Sequence, residues 1–492
     1  MHPRPRRVLF GSICVAALIG ACDDMTGPGS PGIHVTNATL NDTVLSTHPL
    51  ALIVGDRSAR PARGVAVRFE TPSVIDPNDP NSFPFRVFVA ARDSTNFRIA
   101  LVDTTDAAGA VSVKTHFGQT AGPGDLIVTV PDLGFIDTVR FTIEAGHAAG
   151  VTVVPADTAV YGTHGFTLRA TAMDQYRNPR PDVPVALSVA YGPVSVDLTG
   201  AVVATAIGRA AIIAQSAGRS DTAYVSVVPP GWVASQKFYP GNGGPEGIFL
   251  MQLDGSGRDS LAPGLDNSFI PHGFAWSPDG RQLALVRGDV VNLLEPGGAE
   301  RPLVQMSDAL NTAARFSRDG QWVYFALAYG TATQAQGLYR IKIDGTGLEH
   351  IGRDGSDYFV SPSHDGQSVA YVSARTPCFD VPCIRVLDLA TNQDHTYGTQ
   401  DFLVLGAMAA WSPVEGLIAY SNGSSLNLVR SDGTGTRSLA SDVGQVKWMD
   451  WSPDGRWLVV AADPGVMLFE VQTGLRLPLG QFSSYGATAW RP

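Results

Sequence analysis

The chain lacks long amphipathic helical patterns, and it also lacks basic clusters outside its N-terminus. Binding to a nucleic-acid backbone is therefore excluded, because it needs a concentrated Lys/Arg surface and this chain has a net charge of -10. The 492 residues are instead rich in turn formers, because 53 glycines and 34 prolines are spread along the chain. Frequent turns separate many short strands. The composition predicts an all-β protein of several domains.

Signatures of catalysis and of metal binding are missing as well. The sequence contains no G-x-S-x-G, H-E-x-x-H or G-x-x-x-x-G-K-[ST], and its ten histidines show no H-x-x-x-H spacing. We therefore predict no catalytic residue, no metal ligand and no cofactor.

The N-terminus reads as an export signal. Three arginines in MHPRPRR precede a mostly apolar run from Val8 to Gly20, which is too short to span a bilayer. The run ends in Ile19-Gly20-Ala21-Cys22, which resembles a bacterial lipobox. This resemblance implies a signal peptide at 1–21, a lipid on Cys22 and a linker at 22–31. The alternative is an ordinary cleaved signal followed by a chance cysteine.

Two strand-rich modules follow. In residues 32–147, segments such as VAVRFET, FRVFVAAR and TVRFTIEA alternate apolar and polar residues, and TDAAGAVSVKT resembles a segment of invasin-type bacterial Ig-like domains. Residues 148–229 resemble a bacterial Ig-like module of group 2, with GRAAIIAQSAG as the late strand pair. Both modules are predicted to be β-sandwiches that act as spacers or adhesive surfaces.

From Gly231 onward one motif recurs six times at intervals of 39 to 49 residues. It reads WSPDGRQLALV, FSRDGQWVYFA, PSHDGQSVAYV, WSPVEGLIAYS, WSPDGRWLVVA and a terminal WRP. Serine, proline, aspartate and glycine in this order are turn chemistry, so the aspartates are interpreted as scaffold and the aromatic residues as packing between sheets. The repeat residues singled out are Trp276, Asp279, Phe316, Asp319, Asp365, Trp411, Trp451, Asp454 and Trp490.

A second motif, such as GLYRIKIDGTG, interleaves with the first and also occurs six times. Roughly four strands per repeat of about 44 residues are typical of a propeller blade. The sixth copy stops at Trp490-Arg491-Pro492, and WVASQKF (Trp232 to Phe238) supplies the missing next strand. We therefore predict that the first strand completes the last blade and closes the ring. The repeats resemble the propeller of TolB-like proteins, which implies a six-bladed β-propeller at 230–492.

Two further cysteines, Cys378 and Cys383, lie close together in CFDVPC and predict a loop disulfide in an exported protein. Taken together, the sequence favours a non-enzymatic lipoprotein of the bacterial cell envelope. A lipid would anchor it to the inner or outer membrane, facing the periplasm or the exterior. Its propeller would bind an unknown protein or glycan. The alternative is a polysaccharide lyase or hydrolase, which a cluster of His, Arg, Glu or Tyr at one channel mouth would favour. A channel lined by small residues would favour binding.

Overall fold

The computed structural model describes residues 29–73, 85–162, 164–238, 245–263, 273–295, 297, 299–306, 314–327, 335–374, 383–397, 408–463, 465–482 and 485–492. In this part of the chain the regular structure is β-strand, apart from a 3-10 helix at Gly480–Phe482, and the predicted all-β class is confirmed. The chain divides into two compact units. The first contains the described residues up to Gly150 together with Ala172–Val183, and the second contains Val151–Thr171 and Pro184–Pro492.

The first unit is built on two sheets that share one core. Its strands are β1 (Gly32–Ala38), β2 (Asn41–Thr43), β3 (Thr47–Gly55), β4 (Ala66–Glu70), β5 (Val87–Ala91), β6 (Ala100–Thr104), β7 (Ala110–Phe117), β8 (Gly122–Val130) and β9 (Phe135–Glu144). One sheet has the order β1-β3-β7-β5 and the other β2-β9-β8-β4-β6. In β7 and β8 every second side chain is buried, as the period of a strand requires. Both sheets contribute to the core, for example through Leu52 and Phe69.

The next ten strands include the second sandwich. They are β10 (Ala148–Val154), β11 (Asp157–Tyr161), β12 (Phe166–Thr167), β13 (Arg169–Asp174), β14 (Pro179–Arg180), β15 (Ala186–Tyr191), β16 (Val194–Val196), β17 (Ala201–Ala204), β18 (Gly208–Ser216) and β19 (Arg219–Val228). Sheets β11-β19-β18-β15 and β12-β17-β16 enclose a core that includes Ile212 and Val225. The late strand pair predicted from GRAAIIAQSAG is the hairpin β18–β19. Its two-residue turn, Ala217-Gly218, has positive φ at both positions.

The propeller comprises the remaining strands: β20 (Trp232–Phe238), β21 (Pro245–Gln252), β22 (Asp259–Pro263), β23 (Phe274–Trp276), β24 (Leu283–Arg287), β25 (Val290–Leu294), β26 (Glu300–Gln305), β27 (Arg315–Phe316), β28 (Trp322–Leu327), β29 (Gly337–Lys342), β30 (Glu349–Ile351), β31 (Asp357–Pro362), β32 (Ser368–Ser373), β33 (Cys383–Asp388), β34 (Gln393–Tyr397), β35 (Ala409–Trp411), β36 (Leu417–Asn422), β37 (Ser425–Arg430), β38 (Arg437–Ala440), β39 (Val446–Trp451), β40 (Trp457–Ala462), β41 (Gly465–Glu470), β42 (Arg476–Pro478) and β43 (Tyr485–Arg491).

These strands form six four-stranded sheets. Blade 1 has the order β43-β20-β21-β22, and blades 2 to 6 are β23–β26, β27–β30, β31–β34, β35–β38 and β39–β42. The innermost strands contact each other in the cyclic order β43, β23, β27, β31, β35, β39 and back to β43. The ring is therefore closed.

Closure occurs where the sequence predicts it, because β20 pairs antiparallel with β43 in blade 1. Ser235 faces Thr488 in this register, and their buried hydroxyl oxygens lie 2.6 Å apart. Since β43 occupies the innermost place of blade 1, the first and last parts of the repeat region share one sheet and protect each other's edges.

Within the second unit, the second sandwich contacts the propeller directly. The Tyr161 hydroxyl donates to the carbonyl oxygen of Gly231 at 2.9 Å and accepts the backbone N–H of Leu253 at 3.1 Å. Burial, followed by the charge of Asp254, raises the pKa of Tyr161 to about 12. Ser226 adds a hydrogen bond to the carbonyl oxygen of Pro478 at 2.6 Å.

Candidate functional site

Four of the six repeat turns are fixed by the same hydrogen bonds. The serine hydroxyl donates to Oδ1 of the aspartate two residues later and accepts the backbone N–H of the residue five positions later, as Ser452 does from Trp457 at 2.8 Å. The Oγ–Oδ1 distances are 2.6 Å for Ser277–Asp279, 2.5 Å for Ser317–Asp319, 2.6 Å for Ser363–Asp365 and 2.5 Å for Ser452–Asp454. The aspartates thus bind within their own turns.

These hydrogen bonds also affect the acidity of the turns. The hydroxyl of Ser277 lowers the pKa of Asp279, and that of Ser317 lowers the pKa of Asp319. Burial alone would raise the pKa of Asp365. The hydrogen bonds from the Ser363 hydroxyl and from the backbone N–H of Gln367 outweigh burial, so the pKa of Asp365 is lowered. A carboxylate held in its charged form by its own turn is a poor proton donor at neutral pH.

The turns meet at one mouth of the propeller around a cavity of about 130 Å³. Two residues of each repeat line it. The first motif positions contribute Trp276, Phe316, Pro362, Trp411, Trp451 and Trp490. The third positions contribute Pro278, Arg318, His364, Pro413, Pro453 and Pro492. Aromatic residues and prolines therefore form most of the rim of the mouth. The exceptions at the third position are Arg318 in blade 3 and His364 in blade 4.

The residue directly before the motif lies on the innermost strand of each blade, and these six residues form one layer. Its side chain is small in four of the six blades. The layer consists of Ala275, Arg315, Ser361, Ala410, Asp450 and Ala489, and every member except Asp450 is buried. Arg315 lies on β27 and Asp450 on β39, so each has two innermost strands between it and the other in both directions around the ring. The two charged residues thus face each other across the channel.

The Arg315–Asp450 pair spans this layer. Nη1 of Arg315 lies 2.7 Å from Oδ1 of Asp450, and Nη2 donates to the carbonyl oxygen of Met449 at 2.8 Å. The guanidinium also sits 4.9 Å from the ring centroid of Trp448. Oδ2 of Asp450 accepts the backbone N–H of Trp490 at 3.0 Å. The side chains are 10% and 14% exposed, so the pair is nearly dry and neutralises itself beneath the cavity.

Three polar atoms of the described cavity-lining residues are buried without a partner, and one cation is exposed. In the described part of the chain, Nδ1 of His364 and Nε1 of both Trp276 and Trp411 are buried without a hydrogen-bond partner. Arg318 is exposed and forms no hydrogen bond or ion pair with any described residue. The two tryptophans lie on β23 and β35, on opposite sides of the ring. Of these groups, the guanidinium of Arg318 is the one that solvent or a ligand can reach.

The repeat copies that depart from the motif differ in their contacts. In the fifth blade, Ser412 has no aspartate to bind and accepts the N–H of Val414 at 3.4 Å. In the sixth copy Arg491 replaces the serine, and its Nε donates to the carbonyl oxygen of Gly280 at 3.0 Å while the guanidinium lies 5.1 Å from the ring centroid of Trp276. Arg491 thereby joins blade 1 to the turn of blade 2.

The cysteine predictions fall partly outside the described residues. Cys22 and Cys378 lie outside them, so lipidation and the Cys378–Cys383 pairing stay predictions. Cys383, at the start of β33, is disulfide-bonded. Across the described ranges no group of three or more His, Cys, Asp or Glu is placed to hold a metal ion. In the same ranges no helix has the length and apolarity to cross a membrane.

Sequence reasoning missed Arg315 and Asp450, although a signal exists. Both stand directly before the aromatic position of the motif, in copies three repeats apart, where the other copies have Ala or Ser. Opposite charges at one repeat position, half a ring apart, predict a pair across the channel once the number of blades is known.

Comparison with known proteins gives limited matches. No family model matches the chain. An uncharacterized protein of Agrobacterium fabrum is 28% identical over 145 residues, which are 28% of this chain and 47% of the relative, so the match spans about half of that protein. Among solved structures, TolB from Acinetobacter baumannii has a TM-score of 0.43 at 14% identity and covers 63% of this chain and 83% of its own.

Two further structures are similar at the same level. A putative TolB from Agrobacterium tumefaciens has a TM-score of 0.37 at 14% identity, over 54% of this chain and 100% of its own. A gluconolactonase from Xanthomonas campestris has a TM-score of 0.38 at 14% identity, over 48% of this chain and 85% of its own.

Proposed function

We propose that this chain is a non-enzymatic lipoprotein of the bacterial cell envelope whose propeller binds a protein or glycan partner at the mouth of its channel. Ig-like modules act as spacers that present the propeller. The observation that carries the proposal is the mouth itself. It is a cavity rimmed by tryptophan and proline above a layer of small residues that one internally neutralised ion pair closes. Concave aromatic surfaces with a few free polar groups are typical of binding sites.

Binding is favoured over catalysis because no described residue that lines the mouth offers a free carboxylate. Both oxygens of Asp450 are occupied, and the aspartates of the repeats are bound within their turns. General acid–base chemistry on a glycosidic bond normally needs a pair of groups with separated pKa values, most often two carboxyls. The described mouth residues do not supply such a pair.

One observation keeps the enzyme as a second candidate. His364 and Arg318 line the cavity from neighbouring blades, and neither side chain is engaged in a hydrogen bond with a described residue. A histidine base beside a cation that neutralises a substrate carboxylate would suit proton abstraction in a lyase. Incubation of the purified chain with acidic polysaccharides, followed by ultraviolet absorbance for unsaturated ends and by a reducing-end assay, tests this. Product formation that His364→Asn abolishes would replace the binding proposal.

The anchor rests on the basic and apolar leader that precedes Ile19-Gly20-Ala21-Cys22. We expect Cys22→Ser to remove lipid labelling and to release the protein from the membrane fraction. Cys14→Ser is the matched control, because Cys14 lies inside the predicted leader and should leave lipid labelling intact. Unchanged labelling of the Cys22→Ser protein would contradict the anchor.

The partner is tested by capture from the native envelope. The tagged mature chain is purified from membranes, and bound proteins and sugars are identified by mass spectrometry and by composition analysis. Trp411→Ala, which removes a wall of the cavity, should lose the partner. Trp232→Ala is the matched control, since Trp232 is 37% exposed on β20 and does not line the cavity. A partner retained by Trp411→Ala and lost by Trp232→Ala would show that binding occurs elsewhere.

A further inference from the structure

The channel below the mouth contains one buried indole. Trp448 lies on β39, the innermost strand of blade 6, and is 1% exposed. It stands two residues before Asp450, and side chains two positions apart in a strand point to the same face. Since Asp450 faces the channel, Trp448 also faces the channel, one layer further from the mouth.

This indole reaches the innermost segment of blade 2. Gly273 directly precedes β23, and a Cβ atom at this glycine would lie 2.0 Å from Cζ3 and 2.2 Å from Cη2 of Trp448. In the ring, blade 1 stands between blades 6 and 2, so the indole extends past its innermost strand β43. That strand carries Ala487 two residues before Ala489 of the channel-facing layer, which leaves room for the ring. Glycine at position 273 is therefore required by the close approach of the indole.

A cation from the opposite side of the ring covers the same indole. The guanidinium of Arg315 comes from blade 3, lies 4.9 Å from the ring centroid of Trp448 and pairs with Asp450 at 2.7 Å. A cation at this distance from an aromatic face is attracted to it, and more strongly when water is excluded. Groups from blades 2, 3 and 6 therefore meet across the channel, with the ion pair on the mouth side of the indole.

Blade 4 departs from strand geometry close to this layer. Phe359 has a φ of 49°, which is an outlier for a bulky side chain, and such strain persists only where the surroundings hold it. The strand β31 has a bulge between Tyr358 and Ser361, and Phe359 packs against the hydrophobic cluster that includes Trp448 and Met408. The bulge thus adds a second aromatic side chain to the packing around the channel.

We propose that Trp448 and the Arg315–Asp450 pair form a channel plug, which closes the propeller between its mouth and its opposite face. A polymer can then bind at one face of the ring but cannot thread through it. This inference does not depend on which partner the mouth binds. It also restricts a polysaccharide-cleaving activity, the second candidate function, to the mouth above the ion pair.

A cavity test distinguishes a dry plug from a wet channel. Trp448→Ala should lower the melting temperature of the mature chain by roughly 10 °C, because a cavity replaces a packed ring. Millimolar indole should restore several degrees to this variant and leave the parent unchanged, since a dry cavity of this shape binds an aromatic ring. Circular dichroism follows the melting. In a wet channel the substitution would only widen a water-filled space, so melting within about 2 °C of the parent, without an effect of indole, would overturn the plug.

The contact with Gly273 supplies a second test. Gly273→Ala should lower the melting temperature of the parent by several degrees, because its Cβ meets the indole. In a Trp448→Leu background the same substitution should cost about 2 °C or less, since the clashing ring atoms are absent.

Trp457→Leu is the matched control background. Trp457 lies on β40 of the same blade and is 2% exposed, but the three atoms nearest to the added Cβ all belong to Trp448. Gly273→Ala should therefore keep its full effect in Trp457→Leu. An equal effect in both leucine backgrounds would show that Trp448 does not cross the channel. If Trp448→Ala fails to fold, this comparison decides, and the capture experiment with Trp411→Ala bears on the proposed function alone.

Discussion

Replacing Asp450 with asparagine should destabilise the propeller strongly, although the change removes one oxygen and adds one nitrogen. The guanidinium of Arg315 would remain buried beside Trp448 without its counter-charge, while the amide oxygen could still accept the N–H of Trp490. Breaking a buried pair by removing one partner costs about 3–5 kcal/mol, because an uncompensated charge stays in a dry site. We expect a loss in this range for Asp450→Asn and for Arg315→Met.

The double variant Arg315→Met with Asp450→Asn should recover most of the loss. Without either charge, the layer holds only neutral side chains, and replacing both members of a buried pair is often neutral. A double-mutant cycle should therefore yield a coupling energy of about 3 kcal/mol or more, far outside the additivity of independent sites. Urea unfolding of the mature chain, followed by tryptophan fluorescence, measures all four free energies.

The matched control is a surface pair in the same ring. Lys447 and Asp463 lie 2.6 Å apart with side chains 54% and 61% exposed, so their cycle should give about 1 kcal/mol or less. If the Arg315–Asp450 cycle gave the same small value as this pair, the description of a dry brace across the channel would be wrong.

Three further predictions follow from contacts within the second unit. Tyr161→Phe should cost about 0.5–1.5 kcal/mol, because it removes the hydroxyl that bonds Gly231 and Leu253 while the N–H of Leu253 keeps the carbonyl oxygen of Gly231 at 3.2 Å; urea unfolding measures the loss. Hydrogen bonds from Thr473 and Arg456 hold the pKa of Glu470 below its ordinary value of 4.5. The ionised Glu470 therefore stabilises the fold above pH 4.5, and this stabilisation is lost as pH falls through the lower pKa of the folded state. Between about pH 7 and pH 3, the melting temperature should fall less for Glu470→Gln than for the parent. Deleting β20 should lower the melting temperature or cause aggregation, and restoring the segment after β43 by circular permutation should recover the fold; equal melting of deletion and parent would contradict ring closure.

The sequence predicted the ring well because its information is local and repeated. Six copies of one turn motif give the number of blades, and the mismatch between WRP and WVASQKF predicts the pairing of β43 with β20. Turn residues and alternation predict these features because each depends on contacts between neighbouring segments.

The site was less predictable because its contacts are distant in sequence. Arg315 and Asp450 meet only when six blades close, and 135 residues separate them along the chain. The hydrogen bonds of Tyr161 to the propeller depend in the same way on how the second sandwich docks, which no local pattern encodes. The aspartates of the repeats were correctly limited to turns by their spacing, since each binds a serine two residues away.

The pairing of β20 with β43 has a consequence for how the chain is made. Ser235 and its partner Thr488 are 253 residues apart, and a ribosome adds about 5–20 residues per second, so β20 waits on the order of 10–50 s for its neighbour. During that interval the strand edge of blade 1 is open while the remaining five blades emerge one after another. A chain cut before β43, by a premature stop or by a protease, keeps that edge open. Translation of β43 therefore ends the exposure of this edge, because β43 is the strand that pairs with β20.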